Sequence, residues 1–153
     1  MILALDCGST NLKGALYTPE LVKSADAAVP VQYLCRDAER TELDADILWG
    51  SFSSLVDKLV AASHTSHSEI DVVALGSQAQ TFTLLDSRNR PLLPFLSWMD
   101  HRATAEAQEW AELIGSDFHR HCSFPVPLPE LQISMLLWVR RHRPDVWRTA
   151  RRL

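Results

Sequence analysis

The residues best suited to chemistry surround a predicted hairpin tip near the amino terminus. Residues 2–6 (ILALD) predict a short buried strand that ends on the carboxylate of Asp6. Residues 12–18 (LKGALYT) predict a second strand that returns beside the first. The connection, residues 7–11, consists of the turn formers CGSTN. Asp6 is therefore expected at a strand end, beside a small and polar turn.

This tip has the residue types that bind phosphate. Gly8 allows a tight turn. The hydroxyls of Ser9 and Thr10, with nearby backbone N–H groups, can donate to phosphate oxygens, and Lys13 adds a cation. Asp6 can hold hydrated Mg²⁺, which binds through few carboxylates and keeps its waters. Neither GxxxxGK[ST] nor GxGxxG is present, and a solvated hairpin tip capped by Asp6 explains the same residues equally well.

A second polar group follows the predicted buried strand at residues 70–76. It contains Gln78, Ala79 and Gln80. Ligands of α/β sheets gather at strand ends, and amide side chains offer both the donors and the acceptors that a polyhydroxylated ligand requires. From the residues alone, a polar turn is the better-supported interpretation.

A third group places an aromatic ring, a carboxylate and a guanidinium within five residues, WMDHR. The ring of Trp98 can stack on the face of a sugar, and Asp100 can accept hydrogen bonds from hydroxyls. The alternative is a buried Trp98 followed by a helix-capping Asp100.

Composition restricts the class of protein. The 153 residues are 46% apolar and 22% charged, with a net charge of −4, which is typical of one globular domain. No apolar run approaches the roughly 20 residues that span a bilayer, and no secretion signal is visible. Three widely spaced cysteines indicate a reduced, cytoplasmic chain. The arginine-rich residues 140–153 are interpreted as a solvated helix end, so no nucleic-acid partner is expected. The short apolar runs predict no membrane partner either.

The order of elements predicts an α/β fold whose mixed sheet opens with an antiparallel hairpin rather than a βαβ unit. The clearest helix is predicted at residues 45–63, where apolar residues share one face. Further strands are predicted at residues 28–35, at 70–76 as a strand covered on both faces, and at 80–86. Further helices are predicted at residues 103–114, ending at Gly115, at 130–142 and at 144–152.

Taken together, four segments resemble the N-terminal part of the FGGY carbohydrate kinases, which belong to the actin/hexokinase/chaperone-ATPase superfamily. They are LALDCGSTNLKGALYT, DADILWGSFSSLVDKL, VVALGSQAQTFTLLDSRNRPLLPFLSWMDHRA and the Leu- and Trp-rich residues 131–147. The resemblance covers essentially the whole chain, and its motifs are specific only jointly. It implies a ribonuclease-H-like, actin-like ATPase domain that is incomplete, with residues 1–153 as a partial sugar- and phosphate-binding domain.

The resemblance also implies a function, which is ATP-dependent phosphorylation of a sugar or polyol hydroxyl in a cleft between two ribonuclease-H-like domains. Asp6 would organise Mg²⁺ and the phosphoryl site. The residues expected near phosphate are Gly8, Ser9, Thr10 and Lys13. The residues expected near the sugar are Gln78, Ala79, Gln80, Trp98 and Asp100.

Two departures from the family pattern matter. Xylulose-kinase relatives carry Met-His and glycerol kinases Arg-Glu where this chain has Ala79-Gln80, so its substrate is expected to differ from both. Such kinases are also much longer, with the catalytic-base Asp and the ATP-binding C-terminal domain beyond residue 153. The chain alone is therefore expected to be inactive and to form homodimers or aggregates. The alternative is a non-catalytic binding or regulatory module with the actin-like fold.

Overall fold

The computed structural model describes residues 1–115, 117–122 and 124–153, which form two compact units. Unit 1 consists of Met1–Gln32 and Asp46–Gln78, and unit 2 of Tyr33–Ala45 and Ala79–Leu153. The strands are β1 (Ile2–Cys7), β2 (Asn11–Tyr17), β3 (Lys23–Pro30), β4 (Cys35–Arg36), β5 (Thr41–Leu43), β6 (Val72–Ser77) and β7 (Phe95–Leu96). The helices are α1 (Ala45–Ser63), α2 (Thr104–Ile114), α3 (Asp117–Cys122), α4 (Gln132–His142) and α5 (Pro144–Thr149).

Unit 1 is built on a four-stranded sheet in the order β3-β2-β1-β6. β1 pairs antiparallel with β2 and parallel with β6, and β2 pairs antiparallel with β3. This confirms the predicted mixed sheet that opens with a hairpin.

Helix α1 covers one face of this sheet and has the bounds that its apolar periodicity predicts. Its buried residues Leu55, Leu59 and Val60 join the core formed by the leucines of β1 and β2. The helix approaches the sheet closely at Gly14, where an added Cβ would lie 2.7 Å from Cδ1 of Leu59. The absence of a side chain at Gly14 therefore sets the spacing between helix and sheet.

The predicted strand at residues 28–35 is wrong. The strand β3 instead runs over Lys23–Pro30, and only the short β4 follows it. Most residues of β3 are small or charged and exposed, so no apolar run marks it in the sequence. Its pairing with β2 defines it, and Pro30, which has no N–H to donate, is its last residue at the sheet edge.

The predicted strand at residues 80–86 is also wrong. Within the described part of the chain this segment makes only isolated bridges, which are Phe82 with Leu96, Leu85 with Pro91 and Leu85 with Arg152. Its alternating apolar residues do turn into the core of unit 2, as a strand's would. The segments opposite it meet it at single points, however, so no ladder of hydrogen bonds develops.

Unit 2 combines a three-stranded sheet, in the order β4-β5-β7, with the four helices α2–α5. Its core residues are Phe82, Leu84, Leu93, Leu96, Ala103, Met135, Val139 and Val146. Helix α2 ends at Gly115, as predicted, where φ is +59° and a Cβ would be strained. Helices α4 and α5 are slightly shorter than predicted, and α3 has no counterpart among the predicted elements. In the described residues, no helix is both long and apolar enough to cross a membrane.

The prediction that strand β6 is covered on both faces is wrong. All its residues are exposed, with Val73 at 58% and Leu75 at 66%. Among the described residues β6 pairs only with β1, so it forms the edge of the sheet. Val73 and Leu75 lie beside Trp49 and Phe52 of α1 and line an apolar groove with them. The apolar residues of β6 are typical of a strand that other elements cover, but no residue that the structure describes covers them.

The close approach at Gly14 generates a stability prediction. Gly14→Ala should lower the free energy of unfolding by about 1–3 kcal/mol, because the new methyl group overpacks a core against Leu59. Gly50→Ala is the matched control, since nothing lies within 4 Å of a Cβ at this position inside α1. Gly50→Ala should raise the free energy of unfolding by about 0.5–1 kcal/mol. Urea unfolding measures both, and an equal response of the two variants would contradict this account of Gly14.

The open edge of β6 generates a prediction about association. The 153-residue chain should self-associate at micromolar concentration, because an unpaired strand edge beside an apolar groove attracts other chains. Leu75→Glu should weaken this association, whereas Leu113→Glu should not, although Leu113 is even more exposed, at 81%, on α2. Light scattering provides the measurement. If the unaltered chain is a monodisperse monomer, the edge of β6 does not cause association and the prediction is wrong.

Candidate functional site

Asp6 lies on an inner strand of the sheet in unit 1, near the end of β1. Its neighbours across the ladder are Lys13 on β2 and Gly76 on β6. Side chains alternate along a strand, and the flanking Cys7 is buried while Asp6 and Lys13 are exposed. The carboxylate and the ammonium therefore belong to the sheet face opposite α1, in adjacent strands.

Two glycines leave the Asp6 carboxylate uncrowded. A Cβ at Gly8 would lie 3.9 Å from Oδ2 of Asp6, and a Cβ at Gly76 would lie 3.9 Å from Oδ1. At Gly8 the same Cβ would also lie 2.8 Å from the carbonyl oxygen of Asn11, so no other residue fits without a shift of the tip. The space that these two absent side chains leave suits a hydrated cation or a phosphate group.

The described residues contain no group of three or more His, Cys, Asp and Glu that could ligate a metal directly. Mg²⁺ is usually bound through one or two carboxylates and phosphates and keeps several waters, and the single exposed carboxylate of Asp6 fits that mode of binding. The neighbouring Cys7 is no rival nucleophile, because burial raises the pKa of its thiol and keeps it protonated.

Backbone hydrogen bonds fix the hairpin tip. The N–H of Val31 donates to the carbonyl of Thr10 at 3.0 Å. The N–H of Gln78 donates to the carbonyl of Cys7 at 3.1 Å, and its side-chain Nε2 reaches the carbonyl of Gly8 at 3.4 Å. Gln78, which the sequence groups with the sugar-binding residues, thus lies with the hairpin tip in unit 1. Ser9 is half-buried beside it.

In unit 2, Trp98 lies within a turn that is closed by a hydrogen bond from the N–H of Asp100 to the carbonyl of Ser97, at 2.9 Å. The side chain of Trp98 is 41% exposed, so the alternative of a buried Trp98 is wrong. The backbone N–H of Trp98 donates to Oγ1 of Thr81 at 3.1 Å, which places Trp98 beside the segment of Gln80. The structure therefore brings these two predicted sugar-contacting segments together.

Gln80 has a left-handed backbone, with φ of +63°. This conformation is costly for a residue with a side chain, and strain of this kind is concentrated at functional sites. Its Oε1 accepts a hydrogen bond from the N–H of Gln132, at the start of α4, at 3.1 Å. Because the amide oxygen is engaged by α4, the NH₂ group is the part of the side chain that can act toward a ligand. The preceding Ala79 is exposed.

Asp100 is fully buried, and both of its carboxylate oxygens are occupied. Oδ2 accepts from the N–H of Thr41 at 2.8 Å and from Nη2 of Arg102 at 2.6 Å, and Oδ1 accepts from Nε of Arg102 at 2.8 Å. The alternative role as a helix cap is wrong, because α2 begins at Thr104 with Ala103 before it. In this arrangement Asp100 braces the turn that carries Trp98.

Sequence reasoning missed the residues that brace this turn from a distance. No element is predicted at Thr41 and Glu42, yet they form β5 and bond to Asp100 and Arg102. Three residues are too few to show a strand periodicity, so no signal in the sequence could have identified them.

The sequence matches the family model "FGGY family of carbohydrate kinases, N-terminal domain" over residues 1–153. It is 27% identical over 144 residues to the "Probable L-xylulose kinase" of Pasteurella multocida, covering 94% of this chain and 30% of that protein. It is 26% identical over 147 residues to the "L-xylulose/3-keto-L-gulonate kinase" of Escherichia coli, covering 94% of this chain and 29% of that protein. The chain therefore spans about a third of the length of these relatives.

Among solved structures, the "xyloylose kinase" from Brucella ovis is similar in fold and in sequence. It superposes with a TM-score of 0.85 at 26% identity, over 97% of this chain and 31% of that chain. This confirms the predicted actin-like α/β fold. With the match to the family model over its whole length, the chain belongs to the FGGY family of carbohydrate kinases, within the region of the N-terminal domain.

Proposed function

We propose that residues 1–153 form the phosphate- and sugar-binding part of an ATP-dependent kinase that transfers the γ-phosphate of ATP to a hydroxyl of a sugar or polyol. The observation that carries this proposal is the exposed carboxylate of Asp6, set between Gly8 and Gly76 and beside Lys13, in a chain of the carbohydrate-kinase family. Carboxylate, cation and small tip are the groups that a phosphoryl-transfer site requires.

Each group has a distinct task in this proposal. Asp6 would hold Mg²⁺ through water, and the bound ion would neutralise charge on the phosphates. Lys13 contacts the transferred phosphate, and the hydroxyls of Ser9 and Thr10 donate to its oxygens. Gly8 keeps the tip narrow enough for backbone N–H groups to reach the same oxygens. These residues act by position and charge, and no covalent step is required of them.

On the sugar side, Trp98 offers an exposed ring face, and Gln80 offers an NH₂ group in a fixed orientation. Gln78 contributes an amide near the phosphate hairpin, and the small side chain of Ala79 leaves room for the ligand. A direct contact between Asp100 and the sugar stays a prediction. Both carboxylate oxygens of Asp100 already accept hydrogen bonds from protein groups.

We further propose that the ATP-binding domain and the catalytic-base Asp lie outside these residues. The support is the share of the relatives that the chain covers, 30% and 29%. The cysteines Cys7, Cys35 and Cys122 are free, which fits a cytoplasmic enzyme. A homodimer through the edge of β6 belongs to the same proposal.

Lys13 provides the test of this function. In the full-length kinase, Lys13→Ala should lower kcat/KM at least about tenfold, because a charge that stabilises the transferred phosphate is lost. Lys58→Ala is the matched control in the same unit, since Lys58 is an exposed lysine of α1, which lies on the other face of the sheet from Asp6 and Lys13. A coupled ADP-release assay over a panel of sugars and polyols measures both variants.

The same assay tests the proposal as a whole. The 153-residue chain by itself should show no turnover. Full-length protein without sugar-dependent ADP release would favour the non-catalytic binding module instead, and equal activities of the Lys13 and Lys58 variants would exclude Lys13 from the site.

Gln80 should determine which sugars are accepted. Gln80→Glu keeps an oxygen for the N–H of Gln132 but replaces the NH₂ donors by an acceptor. It should therefore change the ratio of kcat/KM between sugars by about tenfold, with little loss of thermal stability. Gln80→Ala removes both the oxygen and the NH₂ group, so it should change the ranking of the sugars and also lower the thermal stability. The control is Gln108→Glu, on the exposed face of α2. If all sugars lose activity equally in Gln80→Glu, the role of Gln80 is structural.

A further inference from the structure

In the described residues of unit 2, three aspartates each bind an arginine that follows within four residues, in the same arrangement. In each pair the aspartate accepts a backbone N–H and is also bound by Nε and Nη2 of a nearby arginine. The pairs are Asp37 with Arg40, Asp86 with Arg90, and Asp100 with Arg102. The arginines of the first two pairs are exposed, whereas the side chain of Arg102 is only 10% exposed.

The buried pair makes contacts that the other two lack. Nη2 of Arg102 also donates to Oε1 of Glu42, on β5, at 2.6 Å. Its guanidinium lies over the ring of Trp138, on α4, 5.0 Å from the ring centroid. Trp138 in turn stacks on His142, with ring centroids 4.9 Å apart. Arg102 thus joins a strand, the turn that carries Trp98 and a helix.

The turn itself is held at every backbone donor. Each N–H from residue 97 to residue 102 donates a hydrogen bond within unit 2, so the turn cannot move without breaking several of them. The acceptors are the carbonyls of Thr41, Ser97 and Glu39, the hydroxyls of Thr81 and Ser97, and the carboxylate of Asp100.

Two of the predicted sugar contacts of this unit, Trp98 and Gln80, are linked to Arg102. Trp98 is linked through Asp100, whose carboxylate Arg102 binds at two atoms. Gln80 is linked through α4, since its Oε1 accepts from Gln132 at the first residue of the helix that also carries Trp138. A planar guanidinium can make these contacts together, whereas the single ammonium of a lysine cannot.

We propose that Arg102 is a positioning residue for sugar binding, which fixes the turn of Trp98 relative to α4 and Gln80. The inference rests on the proposed kinase function. Arg102 acts through its neighbours and does not itself contact the substrate. Its loss should therefore affect the sugar and leave ATP binding unchanged.

Arg102→Lys in the full-length kinase tests this role, with Arg90→Lys as the matched control from the exposed pair. Arg102→Lys should raise KM for the sugar about fivefold or more and change KM for ATP less than about twofold. Arg90→Lys should change neither value. Hydrogen exchange followed by mass spectrometry should show faster exchange at residues 97–102 in Arg102→Lys, and only at residues 86–92 in Arg90→Lys.

A second variant distinguishes the positioning role from a general folding defect. Trp138→Leu keeps an apolar side chain on α4 but removes the ring under the guanidinium, and it should raise the KM for the sugar in the same direction by a smaller factor. Unchanged exchange at residues 97–102 in Arg102→Lys would overturn the proposal, as would faster exchange with an unchanged KM for the sugar. Failure of the kinase function itself is seen separately, as absent sugar-dependent turnover in the unaltered protein, and it would remove the positioning role as well.

Discussion

The burial of one charge governs the architecture of unit 2. Asp100 has no exposure to water, and a buried carboxylate destabilises a fold by several kcal/mol unless donors surround it. Burial lowers the pKa of Arg102, but its hydrogen bonds to Asp100 and Glu42 outweigh this effect, so the guanidinium keeps its charge. Since the donors to Asp100 are Thr41 of β5 and Arg102 at the end of the turn, the sheet and the turn must form together. The charge is satisfied only in the complete unit.

Unit 1 reaches its rigidity by a different route. Its core is apolar and closely packed, with Leu12, Leu16, Leu55 and Leu59 fully buried. Asp6 needs no buried partner there, because its carboxylate is exposed to water. Its position is fixed by an inner strand that two neighbours hold in register. A side chain on such a strand is positioned more rigidly than one on a loop. The two units thus present their candidate residues in two ways, one on a stiff sheet and one on a turn braced by charge.

The success of sequence reasoning differed between elements for physical reasons. Residues 45–63 carry a long 3.6-residue periodicity, and the helix α1 has the predicted bounds. Strand β3 was misplaced because an edge strand of small and charged residues is defined by its neighbour rather than by its own pattern. Of the candidate site, the hairpin of Asp6 and the exposed Trp98 could be anticipated from local residue types. The bracing by Thr41 could not, since it joins residues 59 positions apart.

The interleaved order of the two units also affects how the chain folds during synthesis. The strands of unit 1 are complete once Ser77 has left the ribosome. Residues 41–43, which are made earlier, pair with Phe95 and Leu96 and must remain without a partner until those residues emerge. A nascent chain therefore exposes β5 until Phe95 and Leu96 emerge, long after the sheet of unit 1 is complete. Unit 2 consequently closes late in synthesis, and the two units become ordered one after the other.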